Sequence, residues 1–441
     1  MLFHSPIYLV IFLPLVILFY YKINKFFKID NRIILGFFGL IFYSWWNIYF
    51  APLIVISILF NYYISNLIIA NKDQIKKKRL LLFSIFLNVI YLGIFKYTDF
   101  IIQNINALIG SEIEEFNIPF PLAMSFFTFQ TIAFLVDCYD DEISKNDLKK
   151  YSLFIIFFPQ LVAGPIVKYN DMIPQFENPK NQLINKNNII LGLIVIIIGL
   201  FKKVVIADTL SINVDAGFNN YLDLNFIEAW IVSLSFTFQL YFDFSGYIDM
   251  ATGSAILFNI RLPQNFDSPY KATSLINFWQ RWHITLYKFL MNYIYFPWIR
   301  SLKKITYTKA MFVTLCVFII SGIWHGPTWG YVMFGILHGI GLIVNHTFNR
   351  LNLFKLYFLF GWFLTMFWVN LTLIFFRSED LTTALHISKK IFGINGFDFN
   401  SNMFNDYLIM LSTIAALIIV FCFKNTNYLI ENHFKESETK I

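Results

Sequence analysis

The stretch SGIWHGPTWGYVMFGILHGIG, residues 321–341, lies inside a longer run, residues 310–349, that contains no Asp, Glu, Lys or Arg. A helix needs about 20 apolar residues to cross the hydrocarbon core of a bilayer, so this run predicts two membrane helices. Gly326 and Pro327 predict the break between them, because both residues disfavour a helix interior. An ionisable group at membrane depth is costly and usually faces a protein interior or a water-filled cavity. His325, directly before the break, is therefore predicted to be functional.

The composition of the whole chain also predicts a membrane protein. Of its 441 residues, 57% are hydrophobic and 14% are charged, whereas soluble domains carry about 25% charged residues. Further runs without charge cover residues 1–21, 33–71, 80–95, 116–136, 151–167, 187–201, 356–376 and 407–423. With two spans each for residues 33–71 and 310–349, the total is about ten to twelve membrane segments. The sequence therefore predicts an all-α polytopic integral membrane protein.

The placement of charged residues predicts the topology. The formal net charge is +7, but Lys and Arg concentrate in short loops, residues 22–32 and 72–79, as in cytoplasmic loops of membrane proteins. Residues 98–115 carry acids and neither Lys nor Arg, as expected of an external loop. This pattern places the N-terminus outside and argues against nucleic-acid binding. Residues 151–167, interrupted by proline and glycine, predict a re-entrant segment.

The central block, residues 239–298, alternates polar and aromatic side chains too densely for a lipid-facing helix. Asp243 and Ser245 follow an apolar run, where polar side chains can cap a helix or hold backbone around a cavity. Residues 261–309 contain eight Lys or Arg residues and one acid, Asp267, interleaved with tryptophan and tyrosine. The alternation of cations and aromatic rings in residues 261–309 predicts a helix in the cytoplasmic interface, with its rings at headgroup level and its cations toward water.

Several kinds of site are absent from the sequence. Cys138, Cys316 and Cys422 are isolated, without the spacing of metal ligands, and buried inert thiols are the simplest interpretation. The chain has no phosphate-binding loop, no dinucleotide fingerprint and no sequence repeat. These observations predict no metal and no tightly bound cofactor, and they argue against a nucleotide-driven pump.

A series of motifs runs through the chain in a specific order. They are SFFTFQTIAFLVDCYDDEI at 125–143, FFPQLVAGPIVKY at 157–169, GLFKKVVIADTL at 199–210, FDFSGYIDMA at 242–251, NFDSPY at 265–270, FWQRWHITL at 278–286, SGIWHG at 321–326 and FFR at 375–377. Taken in this order, they resemble the membrane-bound O-acyltransferase family in its bacterial polysaccharide branch. The chain departs from the alginate members at Met291-Asn292, where those members usually carry Arg-Asp, and this counts against alginate itself.

The resemblance implies one membrane-bound O-acyltransferase domain over residues 1–441, whose helices surround a central funnel or tunnel. Residues 1–150 would supply N-terminal spans, residues 151–350 the core with the motifs, and residues 351–441 C-terminal spans. The protein would lie in the bacterial cytoplasmic membrane and take an acyl group from a cytoplasmic thioester, acetyl-CoA. The group would pass to an external glycan or to a partner acyltransferase. Peptidoglycan is the first expectation, and alginate or another exopolysaccharide is the second.

The resemblance also implies roles for individual residues. The histidine of the Trp-His-Gly motif, His325 here, would be catalytic; a neutral imidazole suits removal of a hydroxyl proton near pH 7, and a transient acyl-histidine is the alternative. His338 is expected to hydrogen-bond beside this base or to act as a second base. His283 would lie on the donor path or anchor the protein at the interface. The expected lining is completed by Trp279, Trp282, Trp324, Gln239, Asp243, Ser245, Asn265 and Arg281.

Two other classes of protein share this composition. A transporter would typically show internal repeats and paired acids and bases at the midplane, and the sequence shows neither. A noncatalytic scaffold for an extracytoplasmic acyltransferase would differ only in not needing His325.

Overall fold

The structure is a computed structural model that describes residues 1–27, 29–352, 357–394, 396–397 and 407–438. Within these ranges all regular secondary structure is helical and no strand occurs, which confirms the all-α prediction. The chain forms two compact units: unit 1 comprises Met1–Ile197 and Tyr247–Pro263, and unit 2 comprises Ile198–Gly246 and Gln264–Ile441. The assignment of residues 1–441 to a single domain stays a prediction. Lys28, in the predicted cytoplasmic loop, lies outside the described residues.

Unit 1 holds the N-terminal helices. They are α1 (Leu13–Leu18), α2 (Asn24–Phe27), α3 (Asn31–Ser44), α4 (Ala51–Ala70), α5 (Gln74–Ile109), α6 (Met124–Tyr139), α7 (Leu148–Ile156), α8 (Phe158–Leu161) and α9 (Tyr169–Glu177). Wider π-helical turns at Ile7–Phe12 and Phe19–Ile23 flank α1. Asn61 of α4 and Asn88 of α5 exchange amide hydrogen bonds of 3.2 and 2.7 Å. This reciprocal pair satisfies polar groups that lipid could not.

Two uncharged runs of unit 1 form less helix than their length allows. Residues 116–123 are not helical, and α6 begins only at Met124; prolines in this stretch favour extended backbone. Residues 151–167 contain the end of α7, the short α8 and a non-helical remainder, all largely buried. This run is therefore not one membrane-spanning helix, which fits the predicted re-entrant segment.

Two helical segments contribute residues to both units. In the first, α10 (Lys186–Leu200) continues through a π-helical stretch, Phe201–Ala207, into α11 (Asp208–Asn219). The second is α12 (Phe226–Ile256). Asp243 and Ser245 lie in the interior of α12, so the expectation that they cap a helix is wrong. The helix passes through them because no proline or turn sequence interrupts this stretch.

Unit 2 contains the remaining helices. They are α13 (Leu275–Trp279), α14 (Ile284–Phe289), α15 (Phe296–Ser301), α16 (Tyr307–His325), α17 (Trp329–Leu351), α18 (Phe358–Arg377), α19 (Leu381–Ile391), α20 (Tyr407–Cys422) and α21 (Thr426–Glu438). Within the basic segment 261–309, α13 is followed by one continuous helical stretch, in which α14 passes through a π-helical turn, Leu290–Tyr295, into α15. Trp279 and Trp282, before this stretch, are buried inside the protein. The prediction that this segment lies in the cytoplasmic interface stays a prediction.

Helices α16 and α17 form a close hairpin around the predicted break. Gly326 ends α16 in extended backbone, and α17 starts at Trp329. Glycine allows the two helices to approach: a Cβ on Gly322 would lie 2.3 Å from the carbonyl oxygen of Tyr331, and one on Gly335 would lie 2.4 Å from that of Phe318. Small residues permit such close packing of membrane helices. The sequence prediction of two helices interrupted at Gly326-Pro327 is confirmed.

Seven helical segments among the described residues are long and apolar enough to cross a membrane. They are Ile48–Ala70, Gln74–Ile109, Lys186–Asn219, Tyr307–His325, Trp329–Leu351, Phe358–Arg377 and Leu411–Lys435. Three shorter apolar helical segments are Ile7–Ile23, Asn31–Ser44 and Met124–Tyr139. Their length and composition support the prediction of a polytopic membrane protein.

The packing of α16 on α17 predicts the effect of one methyl group. Gly335→Ala places a Cβ against the carbonyl oxygen of Phe318 and should destabilise the protein by about 1–3 kcal/mol, because the backbones must separate. Gly93→Ala is the matched control, since a Cβ at Gly93 meets nothing within 4 Å; it should be neutral or stabilising. Thermal unfolding of the purified variants in detergent measures both effects. Equal unfolding temperatures would contradict the tight hairpin.

Candidate active site

Every residue predicted from the sequence to belong to the site lies in unit 2. His325 is the last residue of α16 and is half-buried. Aromatic rings from α16, α17 and α18 surround its imidazole, with ring centroids at 5.0 Å for Trp324, 5.1 Å for Phe376, 5.9 Å for Phe334 and 6.3 Å for Tyr331. The helix break therefore exposes an imidazole inside a largely apolar cage.

The residue after His325 has to be glycine. The ring of Tyr331 lies where a Cβ of residue 326 would be, with only 2.3 Å between that Cβ and Cε2 of the ring. The same ring is nearly parallel to the imidazole of His325, with 24° between the planes. Gly326 thus lets Tyr331 fold back over the break and limit the positions that His325 can adopt.

His338 is buried on α17, and both of its ring nitrogens are hydrogen-bonded. The indole Nε1–H of Trp279 donates to Nδ1 at 3.2 Å. The hydroxyl of Thr372 lies 2.9 Å from Nε2 and donates its own proton to the carbonyl of Val369 at 2.8 Å. Because the indole can only donate and the hydroxyl proton is already used, Nδ1 accepts and Nε2–H donates. His338 is therefore held as one neutral tautomer.

The hydrogen bonds of His338 bear on the two roles expected of it, a second base or a residue that hydrogen-bonds beside the base. A base needs a lone pair directed at its substrate, and the lone pair of His338 already accepts the proton of Trp279. The arrangement favours a residue that orients its neighbours. Phe334 packs on His338 at 4.5 Å and on His325 at 5.9 Å, so one ring joins the two histidines.

His283 is fully enclosed between α13 and α14, with 2% of its surface exposed. Its backbone is left-handed, with φ of 43°, a costly conformation for a residue with a side chain. Asn265 stabilises this turn: its Oδ1 accepts from the backbone N–H of Thr285 at 3.1 Å and from the hydroxyl of Thr285 at 2.9 Å. A side chain this buried does not reach the lipid interface, so His283 is not an interfacial anchor. Its place on the donor path stays a prediction.

The same contacts fix the tautomer of His283. Because the N–H of Thr285 identifies Oδ1 of Asn265 as an acceptor, Nδ1 of His283, 3.2 Å away, must donate to it. Burial lowers the pKa of His283 to about 3, so the ring is neutral near pH 7. Its Nε2 consequently carries the lone pair. Trp324 lies between the two histidines: its ring centroid is 6.4 Å from that of His283 and 5.0 Å from that of His325.

The remaining predicted residues divide into two groups. Arg281 and Asp243 are held in ion pairs, with Asp267 at 3.8 Å and with Lys203 at 2.5 Å respectively. These ion pairs hold both side chains in place. Gln239, Ser245 and Asn265 each bury a polar atom without a hydrogen-bond partner: Oε1, Oγ and Nδ2. Buried polar atoms of this kind suit a cavity that accepts a polar ligand or water.

Sequence reasoning missed four residues that shape the site: Tyr331, Phe334, Thr372 and Phe376. Tyr331 and Phe334 lie in the first two turns of α17, directly after the break, and this position was available in the sequence. Thr372 and Phe376 lie on α18, and only the tertiary packing of α18 against α17 brings them to His338 and His325.

Among the described residues, no group of His, Cys, Asp or Glu could hold a metal ion.

The chain is similar to known proteins along most of its length. The model of the MBOAT, membrane-bound O-acyltransferase family, matches residues 33–377. The chain belongs to this family. It is 39% identical to "Peptidoglycan O-acetyltransferase" of Helicobacter pylori, covering 98% of this chain and 91% of that protein. It is 31% identical to "Probable alginate O-acetylase AlgI" of Pseudomonas aeruginosa, covering 96% and 81%.

A more distant relative is "Teichoic acid D-alanyltransferase" of Bacillus subtilis, 24% identical over 52% of this chain and 60% of that protein. Together with the helical fold, these findings confirm the family expected from the motifs. The protein is a multi-pass membrane protein and an O-acyltransferase. A transporter and a noncatalytic scaffold are correspondingly disfavoured.

The hydrogen bonds of His338 predict a specific cost for losing one hydroxyl. Thr372→Val leaves Nε2–H of His338 buried without an acceptor and should destabilise the protein by about 1–3 kcal/mol. Thr365→Val on the same helix is the matched control, because the buried hydroxyl of Thr365 donates to the carbonyl of Gly361, one turn earlier in its own helix, at 2.7 Å. Its loss should change little. Thermal unfolding in detergent compares the two, and an equal response would refute the proposed tautomer.

Proposed function

We propose that this enzyme moves an acetyl group from acetyl-CoA to hydroxyl groups of a cell-envelope polysaccharide, with peptidoglycan as the acceptor. The main support is the 39% identity to "Peptidoglycan O-acetyltransferase" over nearly the full length of both chains. The sequence departure at Met291-Asn292 from the alginate pattern points the same way. Alginate or another exopolysaccharide is the second candidate, because several relatives are named alginate O-acetylases at about 30% identity.

The proposed chemistry is transfer between a thioester and an alcohol. The acceptor hydroxyl attacks the acetyl carbonyl, a new C–O bond forms, and the C–S bond breaks to release the thiol of coenzyme A. His325 takes the hydroxyl proton and returns it to the leaving sulfur, so protons balance over one turnover. An acyl-histidine on His325, formed first from the thioester and then attacked by the acceptor, is the alternative route.

The other two histidines would support this reaction without being interchangeable with His325. His338 keeps Phe334 and Trp279 in register, because its ring nitrogens are committed to Trp279 and Thr372. His283 offers its Nε2 lone pair to a hydrogen-bond donor, a group of the thioester substrate or a water molecule, on the other side of Trp324.

The orientation of the protein in the membrane follows from the charge pattern of its loops. The N-terminus lies outside the cytoplasmic membrane, and the thioester enters from the cytoplasm. The acetyl group would pass either directly to the glycan or first to a partner acyltransferase outside the membrane.

His325→Ala should lower the rate of acetyl transfer by at least about 10²-fold, since general bases commonly contribute 10² to 10⁴. His346→Ala on α17 is the matched control and should leave the rate unchanged. The assay is release of coenzyme A thiol and labelling of acceptor by protein reconstituted in liposomes, with folded amount and unfolding temperature checked for each variant. Full activity of folded His325→Ala would refute the catalytic assignment.

The acceptor is tested in cells that produce the wild-type chain. Mass spectrometry of digested peptidoglycan should show acetylated sugars that disappear in His325→Ala cells. Acetylation confined to another polysaccharide would move the second candidate to first place while keeping the enzyme assignment.

A further inference from the structure

A groove of about 390 Å³ lies in unit 1, where the end of α4 meets the beginning of α5. Asn71 lines it from the turn that follows α4, and Lys76, Arg79, Leu80 and Phe83 line it from α5. The four α5 residues follow the spacing i, i+3, i+4 and i+7, so they share one face of the helix. This face brings two cations and two apolar side chains into one groove.

The charged and the apolar parts of the groove follow each other along the axis of α5. Lys76 and Arg79 lie in the first two turns of the helix, and Leu80 begins the uncharged run of residues 80–95. At 1.5 Å per residue, the axial distance from Lys76 to Phe83 is about 10 Å. Cations at this end of an apolar span lie at headgroup level, and the apolar residues beyond them lie in hydrocarbon. The groove therefore matches the order of a phospholipid, a charged headgroup followed by acyl chains.

The two cations of the groove are weakly neutralised by the protein. Lys76 forms a loose ion pair with Asp73, with 4.0 Å from Nζ to Oδ2, and the two side chains are 69% and 47% exposed. An ion pair as exposed as this one contributes little. Arg79 is exposed and forms no ion pair with any other described residue. The adjacent Lys77 differs, because it is buried and pairs with Asp141 at 2.5 Å.

We propose that this groove binds an anionic phospholipid, with its phosphate between Lys76 and Arg79 and an acyl chain along Leu80 and Phe83. The guanidinium of arginine matches the geometry of a phosphate with two parallel hydrogen bonds. Basic segments beside a membrane span attract the anionic lipids of the cytoplasmic leaflet, and the charge pattern assigns this loop to that side. The apolar wall favours a lipid over a free phosphate ion, which has no apolar part to bury. The binding does not depend on the proposed acetyl donor or acceptor.

Binding is measured by native mass spectrometry of delipidated full-length protein in neutral detergent, titrated with dioctanoyl-phosphatidylglycerol and with dioctanoyl-phosphatidylcholine. The wild type should bind the anionic lipid more tightly. Lys76→Gln/Arg79→Gln should weaken that binding about 30-fold, the factor expected when two cations beside an anionic headgroup are lost. Lys72→Gln/Lys78→Gln is the matched control, because it removes the same charge from two exposed positions of the same segment that do not line the groove. This control should bind both lipids like the wild type.

The apolar part of the groove is tested with a second pair of variants. Phe83→Ala should weaken the binding of both lipids, because it removes the wall on which the acyl chain packs. Leu82→Ala is its control, since Leu82 is exposed but lies outside the groove, and it should have no effect. Unchanged binding after Phe83→Ala would contradict the position of the acyl chain.

Three results would overturn the proposal: equal binding of the two lipids by the wild type, an equal loss of binding in the two double variants, or binding of glycerol 3-phosphate as tight as that of the anionic lipid. The last result would assign the groove to a free phosphate compound. If the double variant unfolds, Arg79→Gln alone provides the test against Lys78→Gln, since both side chains are exposed. Acetyl transfer is not part of this readout, so failure here leaves the proposed function untouched.

Discussion

The close approach of α16 and α17 is the constraint on which the rest of the site depends. A helix break at membrane depth is tolerated only where protein covers it, because free backbone groups and an imidazole are costly in hydrocarbon. Gly322 and Gly335 remove the side chains that would hold the two backbones apart. Tyr331 then folds over Gly326, and α18 closes the remaining side with Phe376 and Thr372. The position of His325 follows from this packing.

The three histidines of unit 2 have different surroundings, and the differences are chemical. His338 has both nitrogens committed, and His283 is a neutral ring whose Nδ1 proton is held by Asn265. His325 lies at the end of a helix inside an aromatic cage, where its ring can meet a substrate. An aromatic chain through Trp324 and Phe334 connects all three. Packing therefore couples the orientations of the three rings, and proton transfer by His325 remains our proposal.

Much of the fold could be predicted from local patterns. Uncharged runs give the helices, and Gly326-Pro327 gives the break, because both effects depend only on neighbouring residues. The motifs give the family and point to His283 and His325, and the uncharged run around them draws attention to His338. The burial of Trp279 and Trp282 could not be predicted from the basic segment, because alternating cations and rings are typical of a surface helix as well as of a folded-in loop. Thr372 could not be found, since nothing near it in sequence indicates a histidine 34 positions earlier in the chain.

The most direct test of the central claim, that His338 is fixed as one neutral tautomer whose lone pair is already used, is ¹⁵N NMR of histidine-labelled protein in bilayers. The His338 signals are assigned by their loss in His338→Gln. The account predicts a protonated Nε2 and an unprotonated, hydrogen-bonded Nδ1. A proton on Nδ1, or a doubly protonated ring at neutral pH, would contradict it.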